Sequence, residues 1–385
     1  MAEPVTPLSH LRVLDMSRLM PGGYCTVLLA DLGAEVVKVE APGKGDGLRP
    51  MHAGAATEAM HFALNRGKRS ITLDIRNADA AGPVLRKLVT QFDVVVESQK
   101  PGSLDAAGIG YDALRQENPG LIWCSISGFG TSGPYVDAPG HDLTYMGVAG
   151  MLAQVGNSAG YPVPDGVIGI PYASLVSAVG ILSALAQRER TGEGARIDTS
   201  ITDSITWALS DQFATQVSSG GTRFPPMACR QNYRCADDRW VTVTAAEPRS
   251  WAKLMEAMGE PDLVDQLYGP DQPALIATLT EKFATKASTE WRANPGFAGG
   301  VGPVLAMAEV VDDEHAVATD SILHAEAELG RPVPGNPVRF NGLSGSDASV
   351  ARTAPSDLGA DNDAVYSAAG LSADDIETLR RDGVI

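Results

Sequence analysis

The sequence predicts an α/β protein: a doubly wound parallel sheet in the first half, then a smaller α/β domain. Three observations predict it: a strand–helix–strand succession at the start, further apolar runs continuing to residue 126, and a composition break near residue 220 followed by a second strand–helix pair. Leu11–Met16 is a short apolar run, Gly22–Asp31 can form a helix, and Ala34–Glu40 (AEVVKVE) is β-branched, so a parallel βαβ unit is the natural reading. Ser70–Ile75, a helical stretch near Ala80–Gln91, Asp93–Glu97 (DVVVE) and Leu121–Ile126 (LIWCSI) extend it into a doubly wound half. Leu175–Arg190, rich in Ala, Leu, Val and Ile with few charges, reads as a largely buried helix. Thr191-Gly192-Glu193-Gly194 stops it before Ala195–Ser200.

Gly220–Pro226 (GGTRFPP) is the clearest break in the chain. Beyond it, Trp240–Ala245 reads as a strand and Ser250–Met258 as a helix. Gly330–Arg339, rich in Pro and Gly, reads as a linker or extended return path, and Ser372–Arg381 as a helix with Ser372 as N-cap. The expected division is a large domain over 1–205, a linker over 206–230, a small domain over 231–327, and a linker with return to the large domain over 328–385.

With 385 residues, 44% of them hydrophobic and 20% charged, the chain can bury substantial cores, and its length suggests two domains. A formal net charge of -17 repels phosphate backbones and anionic headgroups, so nucleic acid and membrane are poor partners. An anionic small ligand then needs local Lys, Arg or helix N-termini. The four cysteines, Cys25, Cys124, Cys229 and Cys235, form no CxxC and have no His pair at metal spacing, so they read as reduced thiols with no metal site. Met1–His10 lacks a basic-then-apolar leader pattern, and no run of eighteen uncharged apolar residues stands out. The expectation is a cytoplasmic protein.

Arg18-Leu19-Met20-Pro21-Gly22-Gly23 lies at the first βα junction, either an ordinary turn or a place where backbone meets ligand. It is not GxGxxG, which removes most support for a nicotinamide dehydrogenase. Asn65-Arg66-Gly67-Lys68-Arg69-Ser70 puts three cations before a strand, and Glu97-Ser98-Gln99-Lys100-Pro101-Gly102 puts a lysine in a turn after another. They are solvated faces or, at strand carboxyl ends, a clasp for phosphates. Gly140-His141-Asp142 follows a glycine-rich turn. Its imidazole is either structural or a proton carrier, suited to the task by a pKa near neutrality. Glu247, before Pro248, either caps the following helix or partners an imidazole.

Taken in order, these segments resemble the family III CoA-transferase superfamily, which includes α-methylacyl-CoA racemases and formyl-CoA transferases. The carrying residues are Pro21-Gly22, Asp31–Glu40, Asn65–Ile71, Glu97 with Lys100-Pro101-Gly102, Ser127–Gly130, Gly133-Pro134, Gly140-His141-Asp142, Gly192-Glu193-Gly194, Cys235–Asp238, Glu247-Pro248, Pro303–Leu305 and Leu379–Val384. The resemblance implies a Rossmann-like large domain built from both chain ends, a smaller α/β domain between them, and an interlocked-ring homodimer. A heteromer with a homologous subunit is the alternative assembly. It implies an acyl-CoA substrate, with no cofactor beyond coenzyme A as part of that substrate. Lys68, Arg69 and Lys100 would lie near the CoA phosphates and Gly140 near the thioester. Ala41 stands where many members carry an arginine.

The racemase branch is the nearest match at His141 and Glu247. There a histidine and an aspartate face opposite sides of the α-carbon. By this resemblance Ile170, in Val167-Ile168-Gly169-Ile170-Pro171-Tyr172, takes the aspartate's position, and isoleucine neither attacks a thioester nor carries a proton. Asp165, in Pro164-Asp165-Gly166, and Tyr172 are the substitutes at hand. The function expected is racemase-like α-proton chemistry on a 2-substituted acyl-CoA with His141 as base and Glu247 assisting. The alternatives are a CoA-transferase working without the usual aspartate and a catalytically silent CoA-binding subunit.

Overall fold

The structure, a computed structural model, describes residues 6–49, 54–155, 163–164, 166–220, 226–293, 300–324, 329–338, 340 and 353–385. The chain forms two compact units, one of Met1–Phe213 with Glu314–Ile385, the other of Ala214–Asp313.

The larger unit is built on β1 (Arg12–Met16), α1 (Met20–Asp31), β2 (Glu35–Glu40), α2 (Gly54–Asn65), β3 (Arg69–Thr72), α3 (Ala78–Val89) and β4 (Val94–Glu97). There follow α4 (Ser103–Ala106), α5 (Tyr111–Leu114), β5 (Ile122–Ser127), α6 (Asp142–Val148), α7 (Met151–Val155), α8 (Gly169–Thr191), β6 (Ala195–Ser200), α9 (Ile201–Ala208) and α10 (Ser210–Ser219). The strands form a six-stranded sheet in the order β3-β2-β1-β4-β5-β6. Every neighbouring pair is parallel. The direction of winding reverses between β1 and β4, which opens a crevice at their carboxyl ends.

Both sheet faces are covered, which is why most strand positions are apolar, β4 (VVVE) most of all. Val13, Val36, Val94, Val96 and Ile122 point into one core with residues of α1 and α8. Leu14, Val37, Val95 and Trp123 point into the other, with α3 and the helix Asn362–Ala368. The far end of the chain closes the β3 edge. Gly67 N–H donates to the Thr353 carbonyl, Ser70 N–H to Asp361 Oδ2, and Tyr366 Oη to the Thr72 carbonyl.

Helix α8 spans 23 residues, starting six before the expected Leu175, and stops at Gly192, whose φ of 74° is the left-handed cap. By length and mean hydropathy it could cross a membrane, a test that a buried core helix also passes. One face packs inward through Ile170, Ala173, Ser174, Ser177, Ala178 and Ile181. The opposite face leaves Leu175, Val176, Val179 and Leu182 exposed.

In the stretch expected to be a linker, α10 forms because no Gly or Pro interrupts residues 206–219. Residues 221–225 of the Gly220–Pro226 break lie outside the described residues. Within Gly330–Arg339, expected to be extended, Val333–Pro334 pairs antiparallel with Ile322–Leu323. The smaller unit holds an antiparallel sheet of β7 (Arg230–Arg234), β8 (Trp240–Thr244) and β9 (Val301–Pro303). Its core is Tyr233, Trp251, Phe283 and Trp291, and the Tyr233 and Phe283 rings stack at 4.8 Å.

Candidate active site

The site is built on the turn that follows β1. Among the hydrogen bonds that hold it are Ser17 N–H to Asp15 Oδ1 (3.0 Å), Lys38 Nζ to the Ser17 carbonyl (3.0 Å), Arg18 N–H to Ser98 Oγ (2.9 Å) and Leu19 N–H to Asp46 Oδ2 (3.0 Å). They fix Leu19 at φ 59°, ψ −131°, a conformation that side chains resist and that gathers at functional sites. Gly22 lets α1 come down on this turn, since a Cβ there would lie 2.0 Å from Ser17 Oγ.

Beneath the turn lies a buried charge network. Asp15 accepts from Thr26 Oγ1 at 2.6 Å and from Lys68 Nζ at 3.0 Å, while Lys38 Nζ lies 3.4 Å from Asp46. Burial alone would raise the Asp15 carboxyl, but Lys38 and Lys68 outweigh it and hold the group well below the usual carboxylate range. Burial pulls Lys68 down to about 8 even with Asp15 beside it. Removing one member strands a buried charge, at a cost of about 3–5 kcal/mol.

The carboxyl ends of β4 and β5 supply two more walls. Ser98 answers Arg18 from β4. Lys100, in the following turn, pairs with Asp137 at 2.9 Å, both side chains largely exposed. After β5, Gly128 and Gly140 leave room for Tyr145: a Cβ at either would lie 2.5 Å from its ring. Tyr145 Oη donates to the Gly140 carbonyl at 2.6 Å, fixing the backbone just ahead of His141.

His141 is the N-cap residue of α6, with extended backbone, and its carbonyl accepts from Thr144 and Tyr145. Its imidazole is exposed and has no hydrogen-bond partner among the described residues. Asp142 caps α8 instead, accepting from Ile168 N–H at 2.8 Å and Ile170 N–H at 2.7 Å. That pair of bonds ties the start of α8 to the His141 turn.

These walls border a cavity of about 580 Å³ at the crevice between β1 and β4. Of the residues singled out from the sequence, it brings together Lys100, Gly140 and His141, with Ile170 in the same lining. Lys68 is not in that lining. Its ammonium is buried against Asp15, Thr26 and Asn65 rather than on the cavity wall. Arg69 is absent too, because Glu35 and Asp361 hold its guanidinium, each at 2.9 Å. Asp165 lies outside the described residues. Glu247, in the smaller unit, is the N-cap residue of the helix Pro248–Met258, its side chain making no capping bond. Tyr172 lies on the exposed face of α8. The sequence singles out neither Arg18 nor Asp137. The Arg18 turn stands out there for its glycines, not its cation, and Asp142 only as the neighbour of His141 in Gly140-His141-Asp142. Among the described residues, no group of three or more His, Cys, Asp or Glu side chains could hold a metal ion.

A parallel sheet with its pocket at the winding reversal places the chain in the α/β class that binds ligands in such crevices. The chain belongs to CoA-transferase family III, whose family model matches residues 8–362, and it is an acyl-CoA enzyme. It is 32% identical to succinyl-CoA–D-citramalate CoA-transferase of Chloroflexus aurantiacus, over 99% of each chain. It is also 32% identical to α-methylacyl-CoA racemase of Homo sapiens, over 85% of each. The crystal structure of a CAIB/BAIF family protein from Brucella suis matches with a TM-score of 0.82 at 29% identity, covering 95% of this chain and 100% of that one.

Proposed function

We propose that the chain activates the α-carbon of an acyl-CoA thioester, with His141 as the base. One observation carries the proposal: the His141 imidazole borders the pocket without a partner among the described residues, whereas the one carboxylate in that lining, Asp137, is paired with Lys100. A neutral imidazole accepts the α-proton as the C–H electron pair passes into the thioester to form an enolate. The resulting imidazolium then returns the proton or loses it to water. Ile126, Ile170 and Ile201 give the lining an apolar side that limits water and strengthens charge interactions.

By the family resemblance, Ile170 stands where a second proton carrier or a nucleophile would be. A single base then gives α-proton exchange, elimination or double-bond migration, and it epimerises only where solvent reaches the other face. The reaction needs no group beyond the coenzyme A of the substrate. Deuterium uptake at the α-carbon of a 2-methylacyl-CoA in heavy water, followed by mass spectrometry, tests the reading. We expect uptake with the wild type and a fall of about 10²–10⁴-fold in His141→Ala. Absence of uptake with every branched thioester tried would sink it.

The similarity to a succinyl-CoA–D-citramalate CoA-transferase supports a second reading, transfer of CoA by direct attack of an acceptor carboxylate. Hydroxylamine trapping during turnover separates the two, because a protein carboxylate acylated by the substrate yields a hydroxamate with a diagnostic mass. We also infer that two copies of the chain associate through the outer face of α8, where Leu175, Val176, Val179 and Leu182 are exposed.

A further inference from the structure

Two cations border the pocket, Arg18 and Lys100. Lys100 already has a carboxylate, Asp137, at 2.9 Å. The Arg18 guanidinium has no hydrogen-bond or ion-pair partner among the described residues, although its backbone is held tightly: its N–H donates to Ser98 Oγ and its carbonyl accepts from the same hydroxyl. Ser17 before it is clamped by Asp15 and Lys38, and Leu19 after it is held by Asp46 in a disfavoured conformation. A buried network thus fixes the backbone of a residue whose charged end is left open on the same cavity as His141. Rigid backbone with an unmatched side chain is the arrangement of a preorganised ligand contact.

We propose that Arg18 is a specificity residue that receives a pair of anionic oxygens from the ligand. The inference rests on the acyl-CoA reading of the pocket. A guanidinium fork matches two oxygens on one centre, so the partner is either a carboxylate carried on the acyl group or the diphosphate of coenzyme A. Lysine supplies the charge without the fork, which makes Arg18→Lys a partial rescue and Arg18→Met a full loss.

Titration calorimetry of the wild type, Arg18→Met and Arg18→Lys with three probes tests this: coenzyme A, 2-methylpropanoyl-CoA without a free carboxyl, and methylsuccinyl-CoA with one. The expected result is a loss of about 10- to 100-fold in Arg18→Met, partly restored in Arg18→Lys. Loss confined to methylsuccinyl-CoA assigns the anion to the acyl carboxylate, and equal loss for all three assigns it to the diphosphate. Binding of all three to Arg18→Met within twofold of the wild type overturns the proposal. Wild-type protein that binds none of them would instead refute the acyl-CoA reading itself. Arg18 is exposed and its backbone bonds survive substitution, so thermal melting of the variants should match the wild type.

Discussion

On the proposed reading, Ile170 is the side chain whose replacement most directly probes the chemistry. Only 7% exposed and in the lining with His141, it presents methyl groups where the family resemblance calls for a carboxylate. Ile170→Asp should therefore add a second proton carrier. Burial will raise its pKa toward neutrality, which suits proton return. Epimerisation of a chiral 2-methylacyl-CoA, read by chiral chromatography of the hydrolysed acid, should rise at least about tenfold, with a lower melting temperature from the buried polar group. An unchanged rate of epimerisation would separate Ile170 from the reacting carbon. At this scale the sequence placed His141 and Gly140 in one local GHD turn, and the fold sets both on the cavity wall; it gave no hint of where the basic run would go. Arg66, Lys68 and Arg69 look like one patch, but the fold sends them to Asp31, Asp15 and the Glu35–Asp361 pair. Those partners are distant in sequence, so no spacing rule reveals them.

Helix α8 shows what an element can do with two apolar faces. Its inward face carries Ala and Ser, which let it lie close to α1, and Ser174 Oγ donates to the Pro21 carbonyl at 2.7 Å. The outward face is as apolar, with Val179 64% exposed. Charge placed there should disrupt self-association while sparing the inward packing. Val179→Asp is expected to halve the mass measured by light scattering at micromolar concentration, with helical circular dichroism retained. An unchanged mass would rule this face out as the contact. The start of α8 escaped detection because Pro171 reads as a breaker, yet Pro is tolerated in a first turn, where its missing N–H has no intrahelical acceptor. The strands of the parallel sheet, by contrast, were legible to within about a residue except at the end of β3, because burial on both faces leaves an apolar signature, whereas β7 and β9 of the half-exposed antiparallel sheet left none.

Stability of the whole molecule should depend on acid through His61. It is buried on α2, with an Nε2 that finds no partner among the described residues. Burial, then the Arg49 guanidinium, bring its pKa down to about 4, although Glu40 and Asp46 pull the other way and Lys38 adds to the lowering. The unfolded chain keeps the ordinary value of about 6.5. Between these values the unfolded state holds a proton that the folded state refuses, so stability falls as pH drops from about 6.5 toward 4. Asp15 acts only further down: its stabilisation is intact above the ordinary aspartate range and disappears as pH falls through its depressed folded value. Melting temperatures at pH 7 and pH 5 should therefore diverge in the wild type and converge in His61→Leu. Equal slopes in the two proteins would clear His61 of the effect.

The closure of the β3 edge by residues 353–366 also governs how the protein is made. During synthesis all six strands of the parallel sheet emerge with that border bare, and it stays bare until residues 353–366 follow them. In that interval an unpaired strand edge is open to capture by a neighbouring nascent chain. Val384 and Ile385 are buried, and Asp74 N–H donates to the Val384 carbonyl, so the closing segment packs onto the large unit well beyond the β3 border itself.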